Sequence, residues 1–233
     1  MRDGKARGYD LGDKEARTAR LVGEGGCVSA EQSGGLSTSG DGHHLSPDED
    51  GRWDRLREAR ALAKSNPGED LPLVASLCHD PAWDLLDKGL LSDAEALVRE
   101  ELVAVRFLAT YDPETFLPNV ADACENLAGI LWEGEHPEEA EPLLREALEC
   151  YRTLAASDPD EDGLPALIPE AGPPMGVLAT ILAEEGRAKE AEELFREGLS
   201  MYAILAQAHP EREDFRLGEE AFRESLAQLS AGV

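Results

Sequence analysis

Residues 124–159 read CENLAGILWEGEHPEEAEPLLREALECYRTLAASDP, and this stretch decides the fold. Ala128 and Ala140 stand twelve residues apart, on either side of Gly134. Leu144 and Leu148 follow Ala140 at steps of four, the spacing of one helical face rather than of a strand. Two helices joined by a glycine turn are therefore expected, with small side chains where the antiparallel pair crosses closely.

The same text occurs twice more. SDAEALVREELVAVRFLATYDP (92–113) and AKEAEELFREGLSMYAILAQAHP (188–210) align without a gap with residues 137–159. Ala94, Ala140 and Ala191 share a column; Val98, Leu144 and Phe195 lie one turn on, then Leu102, Leu148 and Leu199. Leu108, Leu154 and Leu205 close the stripe. On the preceding helix, Ala82, Ala128 and Ala179 share a column, followed by Leu85, Leu131 and Leu182. Gly89, Gly134 and Gly186 then suit helix C-termini.

Pro67, Pro113 and Pro159 are separated by 46 residues twice in succession, and Pro210 follows as a longer-spaced fourth. A fixed period of this size marks a solenoid. Each of these prolines is read as stopping a helix. The second prolines, Pro72, Pro118 and Pro165, are placed in the first turn of the next. Ser92 and Glu95 suggest a capping box, and Asp80-Pro81 a restarted, kinked helix in the first copy. Pro81 and Glu101 stand there where the pattern wants small or apolar residues. A proline-rich insertion, Gly163–Pro174, delays the third copy to about Pro174. Trp53–Ser65 aligns as a half repeat through Leu56, Leu62 and Ala63. Phe215, Phe222, Leu226 and Leu229 form the stripe of a capping helix.

The pattern resembles the tetratricopeptide repeat. The 46-residue period, the extended second helix and the string AEPLL (140–144) resemble the kinesin-light-chain subtype, and the chain is similar to arginine-rich bacterial repeat proteins. The resemblance implies an all-α, right-handed superhelical solenoid of antiparallel helix pairs. It would hold about three repeats, a half repeat and a C-terminal capping helix, over residues 52–230. It also implies a concave groove lined by the first helix of each pair. Carried over by position, the groove residues are His79, Asp80, Trp83 and Asp87, then Glu125, Asn126, Trp132 and Glu133, then Thr180 and Glu184. Tryptophan is a favoured binding anchor, and flanking carboxylates select a basic partner. The competing expectation is that both tryptophans only fill gaps between repeats. The chaperone-binding clamp of Lys, Arg and Asn is matched only by Asn126; His79, Trp83, Pro173 and Val177 hold the other places. Kinesin light chains use basic groove residues for acidic cargo, and this groove carries the opposite charge.

Composition narrows the rest. Forty-nine acidic against 22 basic residues give a formal net charge of −27, which disfavours nucleic acid and anionic lipid surfaces. No apolar run approaches the ~20 residues of a membrane span, and residues 1–10 carry no apolar leader, so the expectation is cytoplasmic. Residues 1–51 hold the stretch SGGLSTSG (33–40) and almost no contiguous apolar residues; they are expected to be a disordered Gly/Ser-rich tail. Arginine outnumbers lysine 17 to 5, which reads as a bias of composition rather than a site.

Chemistry-bearing candidates are few. Asp158, Asp160 and Asp162 before Gly163 resemble the start of a Ca²⁺ loop, with Glu170 one place late for its bidentate ligand; a solvated acidic loop is the alternative. Cys78, Cys124 and Met175 share a column, as do Ala104, Cys150 and Met201, which indicates packing rather than reactivity. Cys27 and the pair His43-His44 fall in the tail. No hydrolase, P-loop, zinc-protease or dinucleotide motif is present. The expectation is a non-catalytic adaptor without cofactor or resident metal that binds a Lys/Arg-bearing protein segment. The alternative is a Ca²⁺-responsive module centred on Asp158–Glu170.

Overall fold

A computed structural model describes residues 47–157 and 168–231, with side chains from Gly51 onward. The expected tail up to residue 46, with Cys27 and His43-His44, lies outside them. So do Asp158, Asp160 and Asp162 of the acidic loop; only Glu170 of that candidate set is described, exposed in a short 3-10 turn, Pro169–Ala171. Among the described residues there are eight α-helices and no strand. They are α1 Pro47–Ala63, α2 Pro67–Asp87, α3 Leu91–Ala109, α4 Pro113–Glu133, α5 Pro137–Ser157, α6 Gly172–Glu184, α7 Ala188–Ala208 and α8 Glu213–Ala231. None of them is long and apolar enough to cross a membrane.

Each helix packs on the next in sequence, so α2–α3, α4–α5 and α6–α7 are the three pairs, with α1 before them and α8 after. The crossings explain the alanine columns. Ala82, Ala128 and Ala179 on the first helices, and Ala94, Ala140 and Ala191 on the second, are at most 1% exposed. A larger side chain there would force the helix axes apart. Around the crossings lie Leu127, Leu131, Leu144, Leu178 and Leu182, all buried. Each such leucine contributes roughly 1.5–3 kcal/mol by leaving water. The two thiol columns are core as well: Cys78, Cys124 and Cys150 are free of disulfides and buried. Burial pushes the Cys78 thiol up to about 12 and the Cys150 thiol up to about 11, and moves Cys124 in the same direction. None of them is a nucleophile at neutral pH.

The turn within each pair is a repeated hydrogen-bond device. The backbone N–H groups of Leu90, His136 and Arg187 donate to the carbonyls of Leu85, Leu131 and Leu182, five residues back, at 2.8–2.9 Å. This closure needs a left-handed residue just before the donor. Gly89 (φ 72°) and Gly186 (φ 77°) supply it in two copies. In the second copy the position is Glu135 (φ 62°), not Gly134, which keeps a negative φ of −78°. The alanine columns give the reason: the left-handed residue falls seven places after Ala82, Ala128 and Ala179, and Gly134 is one place short.

Several local expectations are corrected. The helix of the first copy is continuous through Asp80-Pro81, and Pro81 is buried within α2. α3 is N-capped by Leu90 without a side-chain bond, so Ser92 and Glu95 form no cap. Leu90 is set by the turn closure instead, which leaves Ser92 inside the helix. Pro67 and Pro113 start helices, and Asp112 caps α4 by accepting from the Thr115 N–H at 3.2 Å. Pro72 and Pro118 therefore lie in the second turn, not the first. The leading helix opens at Pro47, earlier than residue 52, and Leu62 points to solvent while Leu56 and Ala59 are buried.

The last helix closes the apolar end through aromatic packing. Phe222 meets Phe195 edge-on and stacks on Tyr202, and Phe215 is buried beside Tyr202. Gly198 makes this possible, because a Cβ there would overlap the Phe222 ring. Tyr202 completes the seal by donating from its hydroxyl to the Pro169 carbonyl at 3.0 Å.

Candidate functional site

The residues expected to bind a partner all lie on α2, α4 and α6, the first helices of the pairs. Asp80, Asp87, Glu133 and Glu184 are exposed; His79, Trp83, Glu125, Asn126, Trp132 and Thr180 are half-buried. Asp87, Glu133 and Glu184 occupy one repeat column, so the periodic fold aligns three carboxylates along the helix array. The three first helices together carry ten carboxylates (five, four and one) and no lysine or arginine.

The described cations are on the other helices or, for Lys64, Lys88, Arg187 and Arg212, in turns, and several of the arginines form a periodic array. Arg60, Arg106 and Arg152 share a column, as do Glu100, Glu146 and Glu197. Arg60 forks onto Glu100, with Nε to Oε1 at 2.7 Å, and Arg106 forks onto Glu146, with Nε to Oε1 at 2.8 Å. Arg152 reaches Glu197 at 3.3 Å. A second row links Arg99 to Glu139 at 2.9 Å and Arg145 to Glu190 at 3.2 Å. Each rung joins one outer helix to the next: α1 to α3, α3 to α5, α5 to α7. The guanidinium fork matches a carboxylate in two places, which lysine cannot do. The excess of arginine over lysine thus has a structural purpose that composition alone did not show. The signal was present in the sequence as arginines 46 apart facing a glutamate column spaced 46 and then 51.

Two of the expected residues are tied to neighbours the sequence did not point to. Tyr151 on α5 donates its hydroxyl to Glu125 at 2.6 Å, and burial together with that carboxylate pushes the phenol far up, so it stays a donor. His79 Nδ1 lies 3.0 Å from Oε1 of Glu101 on α3, and the Trp83 indole N–H donates to His79 Nε2 at 3.3 Å. The two rings meet at 72° with centroids 6.3 Å apart. Glu101 is 7% exposed, and its Oε2 has no hydrogen-bond partner. The hydrogen bond from Glu101 raises the His79 pKa; burial opposes this, and Asp80 and Asp122 add to the rise. Thr180 directs its hydroxyl to the Gly176 carbonyl at 2.9 Å, within its own helix. Trp132 packs against the hydrophobic core while keeping part of its ring in solvent. The structure therefore joins His79, Trp83 and Glu101 in one cluster and Glu125 with Tyr151 in another. Among the described residues, no group of three or more His, Cys, Asp or Glu is arranged to hold a metal ion.

No curated protein gives a significant match to the chain. The family model of the tetratricopeptide repeat matches residues 120–160 and 175–211. Those segments contain most of α4 with α5, and α6 with α7, the two pairs whose columns are most regular. With the paired helices, the twelve-residue alanine spacing and the repeated turn closure, the match leads to one conclusion: the chain carries tetratricopeptide repeats in these segments.

Proposed function

We propose that the face formed by α2, α4 and α6 is a groove that binds a Lys/Arg-bearing segment of another protein. Tetratricopeptide repeats mediate protein–protein interaction and are typically non-catalytic scaffolds. The observation that carries the finer reading is the segregation of charge. Arginines pair mostly with glutamates on the outer helices, while the first helices carry ten carboxylates, of which Asp84 is engaged by Arg52 of α1, and no lysine or arginine. A cationic segment would relieve their mutual repulsion, and complementary charge sets partner choice and association rate. Trp83 and Trp132, half-buried on that face, supply rigid apolar area at little entropic penalty. We place the protein in the cytoplasm; the three free buried thiols fit a reducing compartment.

The test is binding of a lysine- and arginine-rich peptide, measured by anisotropy between 50 and 300 mM salt, which are about the limits of useful screening. Binding should weaken with salt, and Trp83→Ala or Trp132→Ala should lower affinity at least about tenfold, as hot-spot truncations do. Affinity unchanged in both variants and independent of salt would remove the groove reading.

A further inference from the structure

Glu101 is the residue that the repeat does not explain. Its column holds Ala147 and Gly198 in the other copies, both small and buried. A carboxylate there is 7% exposed with an orphaned Oε2, a costly arrangement unless it does something for a neighbour. The neighbour is His79. An indole N–H only donates, so His79 Nε2, which receives it from Trp83, must be the unprotonated acceptor. The imidazole proton is then on Nδ1, directed at Glu101 Oε1. Glu101 thus fixes the tautomer, and the tautomer fixes the indole.

We propose that Glu101 is a positioning residue for the binding face, holding Trp83 through the Nδ1–H tautomer of His79, and that protonation of His79 releases the indole. This rests on the groove reading only in assigning Trp83 to the partner-facing side. A second proton on the ring must go to Nε2, where it confronts the Trp83 N–H as donor against donor. Glu101 keeps its bond to Nδ1 and gains a cation to face. The groups around the ring favour that proton: Glu101 from α3, Asp122 from α4, and Asp80 on α2 itself. The helix before them, α1, has Arg52 bonded to Asp84 and Arg60 to Glu100. With its pKa raised above the ordinary value of about 6.5, His79 begins to charge as pH falls toward neutrality. The native imidazolium therefore stabilises the fold below that range, and this contribution is lost as pH rises through the raised pKa. The Trp83 contact runs the opposite way, made above and broken below.

The experiment uses the full chain with Trp53→Phe and Trp132→Phe, so that Trp83 is the single indole, and no partner is added. Emission should titrate with a midpoint above the ordinary histidine value of about 6.5. His79→Gln should abolish the titration. Glu101→Gln should lower its midpoint by about one unit or more, as loss of an adjacent opposite charge does, while keeping the pH 8 emission, because its amide oxygen still accepts from Nδ1. Glu101→Ala installs the residue found at position 147, so the fold is kept, as far-UV circular dichroism will verify. It should change the pH 8 emission. Emission that is flat with pH, that titrates equally in His79→Gln, or that is the same at pH 8 in the Glu, Gln and Ala proteins would overturn the proposal. A titration that behaves as expected alongside failure of basic peptides to bind would instead remove the groove reading and leave this one standing.

Discussion

Single residues in this chain show how a repeat tolerates exceptions. Glu135 holds a left-handed backbone that L side chains rarely adopt, because the turn closure from the His136 N–H to the Leu131 carbonyl requires it. Its side chain is exposed. Glu135→Gly should stabilise the protein by about 0.5–1 kcal/mol, relief of strain outweighing the added freedom of the unfolded chain. The urea midpoint should rise with an unchanged slope; a fall would mean that the turn does not have this geometry. Glu101 is an exception of another kind. The sequence flagged it as out of pattern, but a periodic pattern only says what is missing. It cannot say that the odd carboxylate meets a histidine on the neighbouring helix.

At the scale of the helices, the columns were readable because they repeat. Three copies of Ala–x₁₁–Ala place both partners of every crossing, and the left-handed turn residue, seven places after the first alanine, follows the same arithmetic although it is a glycine in only two copies. The helix boundaries were less readable, for a physical reason. Pro72, Pro81 and Pro118 read as punctuation, yet they are accommodated inside helices whose stability comes from packing on neighbours rather than from propensity. The rungs between outer helices were not read at all, since they join residues 40–46 apart that only stacking brings together. They should stabilise the array modestly. A double-mutant cycle on Arg106 and Glu146 should give a coupling of about 0.5–1 kcal/mol at low salt, shrinking as salt is added. Arg106→Lys should lose most of it despite keeping the charge. Zero coupling at low salt would make the rungs incidental.

Over the whole molecule, the net charge of −27 turns out to be distributed with a purpose. Most guanidinium groups with a cross-helix partner are engaged between outer helices, Arg52 with Asp84 on α2 being an exception, while the inner helices themselves carry carboxylates and no lysine or arginine. This is why a composition that first served to set aside nucleic acid becomes, with the columns in place, a statement about which side is acidic. The column Asp87, Glu133 and Glu184 samples that side once in every repeat. All three residues are exposed, so reversing them leaves the core untouched. The most direct test is calorimetric titration of one lysine- and arginine-rich peptide into three proteins. These are the wild type, the Asp87→Lys/Glu133→Lys/Glu184→Lys variant, and an outer-helix control of equal charge, Glu138→Lys/Glu149→Lys/Glu193→Lys. The account predicts that the inner reversal abolishes binding, while the outer control weakens it by no more than about threefold through net charge alone. Equal weakening in both variants would contradict it.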